Sequence, residues 1–339
     1  MATMAKGRPR VSRGLLRRRE ALMGYLFISP YLLSTIVFTI GTILFALYIS
    51  FNKFNLFTWP PQWVGPDQYL KAFQAVKFRR ALVNAFWYFI IVVPVQTSLA
   101  LALAVMLNVP MRLRQFFRTA FYGPSVTSSV VISMIFWWLY LKTGYLNFFL
   151  TNLLGSFGVS FQAVEWLNDP TGLFQMIVQP FGREIPIHYW YLRGPSVTWM
   201  AIMFQNIFTT APTFMIMFLA ALQDIPPVLY EAAAIDGATG WRKFWKITLP
   251  LLRPVILLIV VLGTIGTLQI FDQVKILTGG GPLNTTLAPV YMIYTETLGV
   301  LAPPRVGYAA AMAFILTAII FVFSFLQRHY IEKGTELYY

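Results

Sequence analysis

Cysteine is missing from this 339-residue chain, so disulfides, thiolate nucleophiles and cysteine-bound metals are excluded. Histidine is nearly missing too: His188 and His329 are the only two, and the topology argued below puts them in different compartments, where they share no metal. Charge is equally scarce. Asp, Glu, Lys and Arg make up 11% of the residues, against roughly 25% in an ordinary soluble domain. With 58% hydrophobic residues, a soluble fold of this length has too little polar surface to cover itself.

Catalytic signatures are absent as well. A phosphate-binding loop needs G-x-x-x-x-G-K-[ST], whose backbone amides and lysine hold the phosphates. The only Lys followed by Ser or Thr is Lys142-Thr143, and no glycine-rich loop precedes it. Neither a G-x-S-x-G elbow nor an H-E-x-x-H pair occurs. The expectation is a working part with no catalytic residue, metal site or cofactor of its own.

Long uncharged runs are present instead. A helix that crosses a bilayer needs about 20 mostly apolar residues, and charge-free stretches cover 21–52, 81–111, 119–141, 194–223, 254–271 and 306–327. These six runs lack strict alternation, which favours helices over barrel strands, the two structures that satisfy backbone groups in lipid. The predicted fold is all-α, a polytopic membrane protein of about six transmembrane helices. A seventh uncharged run, 143–164, is interrupted by Gly144, Asn147, Thr151, Asn152, Gly155, Ser156 and Gly158, and is read as re-entrant or interfacial.

The formal charge of +14 invites a nucleic-acid reading, but topology accounts for it. Seven of the 26 Lys and Arg lie between Lys6 and Arg19, which puts the N-terminus in the cytoplasm by the positive-inside rule. With six spans the C-terminus is cytoplasmic too, and the inner side carries sixteen basic residues against ten outside. Lys71, Lys77, Arg79 and Arg80, in the first outer loop, oppose the rule. The first apolar run is too long for a cleaved signal and has no small-residue site after it, so it is read as an anchor and first span.

The expected organisation is a basic segment 1–20, a transmembrane domain 21–328 and a cytoplasmic tail 329–339. The outer segment 142–196 is long and aromatic, which suits either a lid or docking surface, or interfacial anchoring. The inner loop 223–254 reads as two short helices. Asp224 is expected to cap the first, with Pro226 and Pro227 in its opening turn. Gly237 supplies a turn with positive φ, Thr239 caps the second helix, and Pro250 and Pro254 end it. So apolar and structured an inner loop should have a partner. The alternative is a helix pair lying in the headgroups through Trp241 and Trp245.

Glu231-Ala232-Ala233, then Gly237 after three residues, then Ile247-Thr248-Leu249-Pro250 after nine more, resembles the EAA motif of permeases in binding-protein-dependent ABC importers. Weaker marks at Val64 to Tyr69, Arg118 to Pro124, Leu277 to Pro282 and Gly307 to Ala311 are similar to the carbohydrate branch, of maltose type and glycerol-3-phosphate type. The stretch Gly172 to Pro195 is longer than that pattern. The resemblance implies a permease fold in the bacterial inner membrane that moves a sugar or sugar derivative inward. It implies a second homologous permease, two cytoplasmic ATPase subunits that bind the ATP and Mg, and an extracytoplasmic sugar-binding protein. It makes Glu231, Ala232, Ala233, Asp236, Gly237, Ile247, Leu249 and Pro250 the contacts that couple to the ATPase.

A substrate path is read from helical faces. Asn206, Thr210, Thr213 and Met217 recur at i, i+4, i+7 and i+11, and Gly263, Gly266, Thr267, Ile270 and Gln273 form a similar face. In maltose-type permeases the helices beside the EAA loop carry the sugar contacts, and the matching positions are Asn206, Thr210, Thr213, Gly266, Thr267 and Ile270. Helix packing by threonine and glycine is the alternative. Asp272, at the outer end of the fifth span, suits either a substrate hydroxyl or a pairing with Lys275 one turn away, and the pairing is preferred. An ion-driven transporter would need a better-placed acid within the membrane. An enzyme on lipid-linked sugars would need paired acids or histidines at a membrane face.

Overall fold

The structure is a computed structural model that describes residues 13–55, 57–109, 112–182, 184–300 and 303–332. The basic segment expected over 1–20 and the tail expected over 329–339 fall largely outside these residues. Among the described residues five helices are long and apolar enough to cross a membrane. They are α1 (Glu20–Ser50), α3 (Val76–Asn108), α7 (Val197–Gln223), the pair within Arg253–Leu277, and the last helix from Val306 to His329.

The third expected span is not one straight helix. It is α4 (Arg114–Val126) followed by α5 (Ser129–Leu139), bent by 95°. Pro124 removes a donor from the end of α4, and Thr127 and Ser128 adopt extended backbone with ψ of 143° and 135°. Apolar composition continues through the break, so hydropathy does not register it.

The centre of the bundle is α3 against α7. Lipid is as apolar as the helices, so close packing rather than escape from water holds them together. Ala100, Ala104 and Ala211 are almost wholly buried beside Phe214, Met215 and Phe218, and their small side chains let the helix backbones approach. Higher up, the Tyr88 and Trp199 rings pack with centroids 4.7 Å apart. Trp199 Nε1 donates to the Asn84 carbonyl at 2.9 Å, and Asn84 Nδ2 donates to the Leu287 carbonyl at 3.0 Å. Those two bonds pin α3, α7 and the loop after Leu277 to one another.

The fifth span is α10 (Arg253–Leu268), which breaks at Gln269 and resumes as α11 (Asp272–Leu277). After α12 (Pro289–Leu298), α13 (Val306–Glu332) packs against α10, and Gln327 Nε2 donates to Thr264 Oγ1 at 2.8 Å. At its other end α13 meets the chain just after α1 so closely that a Cβ on Gly307 would collide with the Asn52 carbonyl. Elsewhere α1 is almost unpacked: only 6% of its apolar window is buried.

The connection after α1 is a two-stranded hairpin, β1 (Asn52–Asn55) with β2 (Thr58–Trp63), and then α2 (Asp67–Gln74). Its prolines are tolerated because both strands of such a sheet are edges. In the run 143–164 the structure has α6 (Tyr145–Ser156), twelve residues long and too short to span. Asn147, 3% exposed, organises the segment: its amide donates to the Val164 carbonyl at 2.9 Å and accepts from Trp166 Nε1 at 3.0 Å. Beside it Lys142 Nζ donates to Glu165 at 3.0 Å, a bond that holds the Glu165 carboxyl below its usual range.

Candidate functional site

The loop 223–254 begins where α7 ends. Asp224 is the C-cap of α7, its N–H bonded to the Ala220 carbonyl, and it does not cap the next helix as expected. The next helix, α8 (Pro227–Ile235), starts three residues later with Pro226 at the N-cap and Pro227 at the first helical position. Two consecutive prolines fix that entry by their own φ, out of reach of the Asp224 side chain.

The end of α8 follows the sequence expectation closely. Gly237 has φ of 72°, its N–H donates to the Ala234 carbonyl at 3.0 Å, and Ala238 N–H reaches the Ala233 carbonyl at 2.8 Å. This doubly bonded cap requires the left-handed region, which glycine enters without a Cβ penalty. Thr239 then caps α9 (Gly240–Lys243) by accepting from Arg242 N–H at 3.4 Å. A π-helical turn, Phe244–Thr248, follows, and the helix runs on through Pro250 to Leu251, where Pro250 was expected to stop it. The wider turn just ahead of the proline relieves the clash of its ring.

No residue of α8 is buried. Glu231, Ala232 and Asp236 are exposed, Ala233 is half-buried, and the apolar Ile235 and Trp241 are 88% and 72% exposed. Tyr230 ties α8 inward, with its hydroxyl 2.9 Å from Thr248 Oγ1. Ile247, Leu249 and Pro250 are half-buried at the foot of the second helix. The eight residues expected to couple therefore divide into an exposed or half-buried group on and just after α8 and a half-buried group that leads to α10.

On the other side of α7 lies a cavity of about 240 Å³ between α7, the bent pair α4 and α5, and α11. Thr210 and Thr213 line it together with Ser129, Gln205, Thr209 and Gln273. Gln205, 1% exposed, donates to Ser133 Oγ at 2.8 Å, which anchors α5 on α7. Ser129, the first residue of α5, donates to Asp272 Oδ2 at 2.6 Å. The expected Asp272 pairing with Lys275 is replaced by this bond. Lys275 instead reaches the Tyr294 hydroxyl at 3.1 Å, with its ammonium 4.5 Å from that ring's centroid. The helix break at Gln269 to Phe271 sets the heading of α11, so Asp272 meets α5 while Lys275 meets an aromatic side chain of α12.

The remaining residues expected on the path lie elsewhere. Asn206 is half-buried next to the cavity without lining it, and Gly266 is exposed. Thr267 is buried with its hydroxyl donated to the Gly263 carbonyl at 2.8 Å, and Ile270 lies in the apolar core with Tyr88 and Trp199. Sequence reasoning missed Gln205, Thr209 and Ser129. Gln205 is an amide inside a span, a visible signal; Ser129 had none, because its role depends on the bend.

Residues 69–333 match the family described as "Binding-protein-dependent transport system inner membrane component". The chain belongs to that family. This transport component is 33% identical to the lactose transport system permease protein of Rhizobium radiobacter, over 93% of this chain and 96% of the relative. It is 32% identical to the trehalose/maltose transport system permease protein of Thermococcus litoralis, covering 80% and 82%. Its fold matches a bacterial ABC transporter involved in the import of the acidic polysaccharide alginate, with a TM-score of 0.72 over 95% of this chain and 99% of that one at 22% identity. Within this transport component, α8 is a helix with no buried residue.

Proposed function

We propose that the chain is the sugar-conducting permease subunit of an ATP-driven importer, coupled through its 223–254 loop to a separate ATPase. The carrying observation is α8, a nine-residue helix with no buried residue, aimed by the Gly237 cap and joined to two spans. An apolar helix left exposed at one end of a bundle is a docking element for a partner. Family membership supports the importer, and relatives named for lactose, trehalose/maltose and arabinooligosaccharides support a sugar as cargo.

In this reading Glu231 offers its carboxylate to the ATPase, Ala232 and Ala233 permit close approach, and Asp236 and Gly237 aim the second helix. Ile247, Leu249 and Pro250 pass the motion to α10. The ATP and Mg belong to two ATPase subunits, a second homologous permease completes the pore, and an extracytoplasmic binding protein delivers the sugar. Both termini are cytoplasmic. Thr210 and Thr213, with Gln205 and Ser129 added, offer hydroxyls and an amide to sugar hydroxyls, each bond worth about 0.5 to 1.5 kcal/mol net. Asn206, Gly266, Thr267 and Ile270 belong to the same path as helix-face neighbours, not as cavity walls.

The test is reconstitution of the whole importer in vesicles with Glu231→Ala and Gly237→Val, measuring ATP hydrolysis and sugar uptake on the same sample. Both variants should insert normally and lose sugar-stimulated hydrolysis, Gly237→Val more completely. Wild-type coupling in both would assign the loop to the membrane surface instead.

A further inference from the structure

A second cavity, about 820 Å³, shares no lining residue with the one beside α7. It opens at the end of the bundle opposite the 223–254 loop: Phe78 and Ala81 of α3 pack there with Tyr308, whereas Leu107 at the other end of α3 packs with Leu222 and Leu252 beside the loop. Four cations line it, Lys53, Lys71, Lys77 and Arg305. Glu296 also lines it and is paired with Arg305 at 2.7 Å, while Lys71 is paired with Asp67 at 2.5 Å. Four cations against these two carboxylates leave an excess of two, and among the described residues Lys53 and Lys77 have no ion-pair partner.

Other features favour the same sign of ligand. The first residues of α3, Val76 and Lys77, line the cavity, and α3 is 33 residues long with no acid in its first turn and no side-chain cap. The start of the 27-residue α13 contributes Tyr308, again with no acid in the first turn. Helix N-termini add partial positive charge to what the lysines supply. Gln68, 7% exposed, forms part of the wall and donates to the Asn52 carbonyl only at a long 3.5 Å.

The position on the bundle selects the ligand. Lys53 stands three residues beyond the end of α1, an apolar helix long enough to cross the membrane, which puts this wall of the cavity at the membrane surface. Trp59 and Trp63, 74% and 66% exposed on the same hairpin, fit the headgroup level where tryptophan collects. The basic residues here run against the charge bias that orients the chain, and a lipid-binding role gives them a reason. We propose that this cavity binds the headgroup of an anionic phospholipid from the leaflet opposite the coupling loop, with Lys53 and Lys77 as its main phosphate contacts.

The probe is phosphatidylglycerol added to the purified complete transporter, read by native mass spectrometry of retained lipid, with phosphatidylcholine and inorganic phosphate as comparisons. Wild type should retain phosphatidylglycerol selectively, and Lys53→Gln with Lys77→Gln should weaken retention about thirtyfold, roughly fivefold per lysine. Arg79→Gln, an exposed neighbour that does not line the cavity, should leave it unchanged. Because all three side chains are exposed, none of these changes threatens folding. Equal retention by the double variant, equal retention of phosphatidylcholine, or displacement by millimolar inorganic phosphate would each overturn the assignment.

Discussion

The contact of α3 with α7 and the helix α8 are both apolar, yet one is closed and the other open. Trp199, Tyr88 and Phe218 are fully buried between α3 and α7, while α8 buries nothing. The first surface has found its partner within the chain. The second is held in shape by its own caps, Pro227 at one end and Gly237 at the other, so it stays ordered without a core. The proposed coupling function lies on the surface the fold leaves uncovered, and stability lies on the one it closes.

That contrast is sharpest in the changes expected to do most harm. Trp199→Ala removes a wholly buried ring and its bond to the Asn84 carbonyl, and should destabilise the bundle by about 3 to 5 kcal/mol. Thermal unfolding in detergent measures it, and a midpoint near wild type would dissolve the distinction between the two surfaces. Gly307→Leu should follow, at about 1 to 3 kcal/mol, because the added side chain meets backbone at Asn52 that cannot move aside.

The opposite pattern is expected at Gly237→Ala. Nothing lies within 4 Å of the added Cβ, so the cost is only that of the left-handed backbone, about 1 kcal/mol. The thermal midpoint should barely move while coupled ATP hydrolysis falls several-fold. A variant that unfolds instead would mean that the loop is part of the core after all.

At the cavity the comparison becomes finer. Ser129→Ala removes a hydrogen bond to an acid, worth about 1.5 to 3 kcal/mol, and frees the bend between α4 and α5 from α11. Sugar uptake should drop with assembly intact, and Asp272→Asn, which keeps an acceptor, should retain more activity than Ser129→Ala. Equal activity in wild type and both variants would make the bond a packing detail.

The smallest effect is expected at Glu165. Its carboxyl is held below the usual range by the bond from Lys142, so the contribution is present at neutral pH and is lost only as pH falls through that lowered value. Glu165→Gln should therefore leave the thermal midpoint at neutral pH almost unchanged, as befits a fully solvated pair. A clear loss of stability at neutral pH would show that the outer segment is more tightly coupled to the bundle than its exposure implies.

The spans, the two-helix loop and the family were legible in the sequence because each rests on local pattern. Twenty apolar residues suffice for a span, and the interval from Glu231 to Gly237 is a helix and its cap. The 95° bend between α4 and α5 was not legible, since hydropathy averages over residues and the break needs only two of them in extended backbone. Nor was the pairing of Asp272 with Ser129, 143 residues apart, in place of the neighbour Lys275.

What the sequence by itself determined is therefore the all-α membrane class, the position of about six apolar segments, and the two-helix form of the 223–254 loop with its Gly237 turn, all fixed by hydropathy, proline, glycine and capping within a few turns. Only the tertiary structure decided which polar residues share a cavity and which vanish into packing. Thr210 shares a cavity with Ser129 while Ile270 lies in the apolar core with Trp199, and the difference comes from helix rotation and the break at Gln269, set by close packing between distant segments. The same long-range packing gathered Lys53, Lys77 and Arg305 around one cavity from three separate stretches of chain.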